Sequence, residues 1–292
     1  MNDFSNPTVK FYRHSGKTSL LGIILIGIMG CIGVPILGLL YGVLMRVIPF
    51  IYINGFLVLG YVFVVGSILA YIAKYGKIRN MILLGLTAFF IGLLADYAGW
   101  VGWLTVMAGS PLFLIEFFLP TDIIYFITQV AKEGAWTISG TTPTGGILYF
   151  LWFLEAFAVV GGIVYVTVTD LAKTPFCEDS DRWADKRTQI GAFTPISNMS
   201  QFRQEIKQGN LSAFNSLKPS RPEDRHFTTL VLYECEHCRN FFVLNVEDVT
   251  LVTNSKGKTE AKVKRVLSNL MLTPFQLAGL KRLAPPESAS PG

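Results

Sequence analysis

The chain has 292 residues, 51% of them hydrophobic and 15% charged, with a mean hydropathy of +0.45. Soluble domains carry about 25% charged residues, so a wholly water-soluble globular protein is excluded. Residues 1–169 hold 8 of the 25 Lys and Arg and 6 of the 20 Asp and Glu, and residues 170–292 hold the other 17 and 14, giving net charges of +2 and +3. That modest, divided charge fits basic loops beside a membrane, and no nucleic-acid partner is expected.

Residues 1–18 read as a polar, cytosolic N-terminal tail with Lys10, Arg13 and Lys17. The apolar run that follows, residues 19–45, exceeds the roughly 7–15 residues of a signal-peptide core, and no small-x-small cleavage site follows it. It reads as a retained first membrane helix, kinked near Gly33 and Pro35. Gly38 and Gly42 form a GxxxG, a pattern that serves packing inside a bundle or contact between copies in a homo-oligomer. Gly16-Lys17-Thr18 has the form of a P-loop ending, but Phe11 stands where the first glycine is required.

Arg46 and Pro49 mark a turn, and residues 51–73 give a second membrane helix. Lys74, Lys77, Arg79 and Asn80 form the next loop. The third helix, residues 81–108, contains a single acid, Asp96. Helical spacing places Ala88, Gly92, Asp96, Gly99 and Trp103 on one stripe. Small, polar stripes are how membrane helices meet their neighbours. Residues 145–168 form the fourth helix and contain Glu155, with Ala158 and Gly162 on its stripe. The membrane domain therefore covers residues 19–169, with the bilayer as its first partner.

Residues 111–144 read as an outer amphipathic segment rather than a fifth span. Glu116, Pro120 and Asp122 each oppose insertion. Thr121 can cap a helix from Asp122 to Glu133 that Gly134 stops. Ile123, Ile127 and Val130 share a face that would lie on the membrane surface, with Trp136 as an interfacial anchor. The basic residues concentrate before the first helix, in the 74–80 loop and after Val168. This bias places both termini in the cytoplasm, with the bacterial inner membrane as the expected location.

At 1.5 Å per residue, Asp96 lies about 24 Å and Glu155 about 21 Å from the cytoplasmic ends of their helices. Two carboxyl groups at one depth suit an intramembrane cation or proton site; equally, each can be neutral and serve only packing. No internal repeat or pair of broken helices points to a transporter.

Residues 170–283 read as a small cytosolic α+β domain, and residues 284–292, rich in Pro and Ser, as a disordered tail. Cys235 and Cys238 form a CxxC between two strand-like runs. Phe176-Cys177-Glu178-Asp179-Ser180 has the same outline, with Ser180 at the second cysteine position. These two elements resemble the knuckles of zinc ribbons, in a degenerate form. The resemblance implies a zinc site at Cys177, Cys235 and Cys238, with His237, Asp179 or Asp181 as fourth ligand. The other open readings are that the metal is lost and the knuckles survive as turns, or that Cys235 and Cys238 form a redox dithiol, against which the strand-like flanks speak. The whole chain resembles four-span bacterial membrane proteins of unassigned role that carry a small cytosolic domain.

No nucleophile elbow, metalloprotease motif or phosphate-binding loop is present, so an enzyme is not expected. The sequence favours a membrane-anchored cytoplasmic interaction or regulatory module with a protein partner. The alternative is a small transporter or channel subunit using Asp96 and Glu155. The topology is directly testable. In intact cells, an impermeant thiol reagent is expected to label Gly140→Cys and to spare Gly257→Cys; labelling at position 257 would invert the orientation.

Overall fold

In the computed structural model, residues 9–48, 50–110, 120–137, 140–221 and 223–283 are described. Four helices are long and apolar enough to cross a membrane: α1 (Leu20–Val47), α2 (Ile51–Tyr75), α3 (Met81–Ala108) and α5 (Gly145–Leu171). They belong to one unit, from Ser15 to Lys173; the described residues up to His14 join those from Thr174 onward in a second.

Pro35 perturbs α1. It has no N–H, and its ring crowds the carbonyl one turn earlier. The helix responds with a π-helical turn at Met29–Gly33, where the Val34 N–H reaches back five residues to the Met29 carbonyl. Beyond it, α1 packs closely along α3. Gly38 lies on Ala95 and Ala98, Gly42 on Gly99 and Trp103, and Gly102 on Leu39. A Cβ on Gly42 would sit 2.0 Å from the Gly99 carbonyl oxygen, so this approach requires bare backbone. The GxxxG is therefore used inside the bundle. A second pair, α2 and α5, meets where Gly66 faces Val166 and Gly162 faces Val62. Gly92 of α3 rests on Val160 of α5 and joins the two pairs.

Between α3 and α5 lies α4 (Pro120–Glu133). It starts one residue before Thr121, which therefore stands in the first turn rather than at the cap. Proline suits that first position because its missing N–H has no helical partner there. The stop is at Gly134, with φ of +92° and its N–H bonded to the Val130 carbonyl at 2.8 Å. Ile123 is buried against Val101 and Leu104 of α3, so protein covers this part of the apolar face. The expected acids' segment at residues 111–119 and the tail at 284–292 lie outside the described residues.

The second unit is built on an antiparallel meander, β3 (Lys186–Phe193), β4 (His226–Glu234), β5 (Phe242–Thr253) and β6 (Thr259–Leu272), in that spatial order. A two-stranded hairpin, β1 (Phe176–Cys177) with β2 (Arg182–Trp183), stands before it. Residues 9–12, read from sequence as part of a polar tail, run beside β6: Phe11 bridges Leu270, and Tyr12 donates its N–H to the Asn269 carbonyl at 2.7 Å. Strand alternation gives the sheet two apolar faces. Leu230, Leu232, Leu244, Val246 and Leu270 pack under α6 (Met199–Lys207), a 3-10 turn (Leu211–Ser216) and α7 (Pro274–Leu283). Val231, Tyr233 and Val243 point the other way and meet Tyr12, Cys177, Cys235 and Phe241. An α+β unit with two sheets results, and its second face positions the cysteines.

The close helix contact makes a prediction. Gly42→Ala forces α1 and α3 apart and is expected to cost about 1–3 kcal/mol, the usual range for overpacking. Gly55→Ala, with open space around its Cβ position, is the control. Thermal unfolding in detergent should separate them; equal midpoints would show that the contact does not hold the bundle together.

Candidate functional site

The second unit brings together three sulfur atoms. The β4–β5 turn carries Cys235 and Cys238, and the β1–β2 hairpin carries Cys177. The hairpin closes through Asp181, which adopts a positive φ of 52°. Tyr12 fixes it further: its hydroxyl accepts the Phe176 N–H at 2.9 Å, and its ring packs edge-on against Phe241. Cys177 Sγ then lies 3.2 Å from Cys238 Sγ, and all three sulfurs are within 4.8 Å of one another. Four ligands at about 2.3 Å from a tetrahedral ion would be about 3.8 Å apart. The donor set therefore fits a thiophilic divalent ion with only small side-chain adjustment. When bound, such an ion would cross-link the two hairpins.

Ser180 stands where a second knuckle cysteine would be, with its Oγ 2.9 Å from Cys235 Sγ. His237 is exposed and is not among the converging ligand atoms, nor are Asp179 and Asp181, which are also exposed. The cysteines differ in acidity. Burial pushes the Cys238 thiol up to about 12, reinforced by its contacts with Cys177 and Cys235. Burial also raises Cys235, but hydrogen bonds from Ser180 and from the His237 and Cys238 backbone outweigh it, leaving the thiol below its ordinary value.

Asp96 and Glu155 occupy a separate place, in the helical bundle. Both line one cavity of about 90 Å³. Its wall includes Tyr41 and Met45 of α1, Asn54 of α2, Trp100 and Trp103 of α3, Trp136 and Trp152. The geometry follows from the glycine contact. Bare Gly99 lets the Tyr41 ring lie flat over α3, and Tyr41 stacks on Tyr61 with centroids 4.4 Å apart. The Tyr41 hydroxyl thereby reaches α5 and donates to Glu155 Oε1 at 2.6 Å. Tyr61 donates to the Ala95 carbonyl at 3.1 Å. Trp100 meets Trp152 edge-to-face at 4.9 Å, and the Arg46 guanidinium lies 5.9 Å from the centre of the Trp103 ring.

No protein-family model, curated protein or solved structure matches this chain. The site is therefore read from its own chemistry.

Sequence reasoning named the two acids and the three cysteines. It missed Tyr41, Asn54 and the tryptophans as one group, because they come from four helices and the segment after α4, with no common spacing. It also missed Tyr12, whose role depends on a contact with a residue 164 positions away. One signal was present: four of the five tryptophans stand in the membrane part.

The Tyr41–Glu155 bond can be measured. A double-mutant cycle with Tyr41→Phe and Glu155→Gln, read as unfolding free energy in detergent, is expected to give a coupling of about 1 kcal/mol, typical of interhelical hydrogen bonds. Strict additivity of the two substitutions would show that the bond contributes nothing.

Proposed function

We propose that the protein is a membrane-anchored interaction or regulatory module, with its sheet domain in the cytoplasm and a metal ion, zinc by preference, clamping the two knuckles. The observation that carries this reading is the convergence of Cys177, Cys235 and Cys238 from hairpins far apart in sequence. Thiolate ligands suit zinc, and such sites stabilise small domains outright. Helices pack one face of the sheet and the knuckles the other. A domain held on both faces offers a protein partner a preformed surface, which lowers the ordering cost of binding. Ser180 is a weak ligand at the fourth corner, so that position is taken by the hydroxyl or by water.

A second reading, a small transporter or channel subunit, is favoured by Asp96 and Glu155 sharing one cavity. Intramembrane acids commonly mark ion or substrate paths.

The primary test is metal analysis of the full chain purified without chelators. About one zinc per chain is expected, with little in Cys235→Ser and tighter retention against a chelator in Ser180→Cys, which restores the four-thiolate set. Metal-free protein with all three thiols reduced would remove the ion from the proposal. Partner capture that survives Asp96→Asn but fails in Cys235→Ser would support the module over the transporter.

A further inference from the structure

We propose that the bundle cavity is a binding site for a small organic cation, an ammonium group that donates N–H bonds to Asp96 and Asn54 and rests against the tryptophan faces. This rests on the cavity that favours the second reading, but it concerns binding and does not require transport.

Three observations carry it. The first is unused acceptor capacity. Among the described residues, the Asp96 carboxyl has no hydrogen-bond donor, although it faces the cavity. Asn54 lines the same cavity, and its amide oxygen is buried behind that wall without a partner, one side-chain rotation from a guest. Buried polar atoms are seldom left unpaired, and each exception calls for water, an ion or a ligand. Glu155 has one oxygen occupied by Tyr41 and the other uncommitted. The second observation is sign: carboxyl groups in an apolar surround attract a cation and repel an anion. The third is the wall. A hard inorganic cation prefers six or more oxygen ligands. Here the oxygens are few, and indole N–H groups are donors that cannot coordinate a cation. Tryptophan faces instead attract weakly hydrated organic cations.

The protein already uses that attraction once, at Arg46 over Trp103. Trp103 carries that contact, and Trp100, Trp136 and Trp152 are the other indoles lining the cavity with the acids. The volume, about 90 Å³, exceeds the roughly 10–15 Å³ needed for one water on this measure and suits a cation of a few heavy atoms.

The test is a titration of the full chain in lipid nanodiscs with propylammonium chloride against sodium chloride and potassium chloride at matched ionic strength. Intrinsic fluorescence is the readout, since four of the five tryptophans line the cavity. A saturable change with propylammonium is expected, absent with sodium and potassium. Asp96→Asn should weaken it about tenfold or more, the scale of one charged hydrogen bond, and Asn54→Leu should weaken it less. A rise in the melting temperature of the unsubstituted protein with propylammonium gives a readout that needs no variant. The ammonium assignment alone is overturned if sodium or potassium produces the saturable, Asp96-dependent response; the transporter reading then stands. The ammonium assignment is likewise overturned if propylammonium gives no Asp96-dependent response, whatever it does to the melting temperature; the transporter reading, which also admits a proton at Asp96 and Glu155, does not fall with it.

Discussion

The close approach of α1 and α3 is the constraint on which the rest of the bundle depends. Membrane helices gain little from hydrophobic exclusion against one another, because lipid is as apolar as their side chains. They gain from van der Waals contact and from hydrogen bonds, and both require short distances. Gly38 and Gly42 on one helix and Gly99 and Gly102 on the other supply that distance. The consequence reaches beyond packing. A Cβ at position 99 would come within 3.0 Å of the Tyr41 ring, so the ring that carries the Glu155 hydrogen bond would have to give by a few tenths of an ångström.

That arrangement explains why acids are tolerated here. A carboxyl group in an apolar bundle is costly unless it is neutral, bonded or hydrated. Glu155 has its bond to Tyr41, while Asp96 has the cavity. The tryptophans around them provide polar N–H edges and apolar faces in the same side chain. The cavity is thus bounded by groups that accept a charged or hydrated guest, in a bundle whose exposed side chains are mostly Leu, Ile, Val, Phe and Tyr.

The sheet domain solves a different problem. Its meander has one face covered by helices, and the other would be open without the knuckles. Tyr12 and the β1–β2 hairpin close that face, joined where the Tyr12 hydroxyl accepts the Phe176 N–H, while Val9 and Phe11 pack on the helix side. The cysteines are therefore part of a small core as well as a cluster that could hold a metal ion. Cys177 is fully buried and Cys235 nearly so, as members of that core.

The sequence by itself determined the elements whose signal is local. Four apolar runs, the glycine stop at Gly134 and the strands on either side of the CxxC follow from composition, period and turn chemistry over a few residues. The repeated outline of aromatic, cysteine and turn pointed to one thiol cluster, since two half-sites are needed for one tetrahedral ion. Only the tertiary structure decided which helices pair, because GxxxG states that a close contact exists and not with what. Only it placed residues 9–12 on the edge of β6, where backbone hydrogen bonds carry no sequence signature. It alone left His237 outside the group of converging sulfur atoms, since the direction of a turn side chain depends on the whole loop. Finally, it gathered Asn54, Trp100, Trp152 and the two acids around one cavity. Sequence depth puts Asp96 and Glu155 at similar heights, but rotation about each helix axis sets what they face, and interhelical packing fixes that angle.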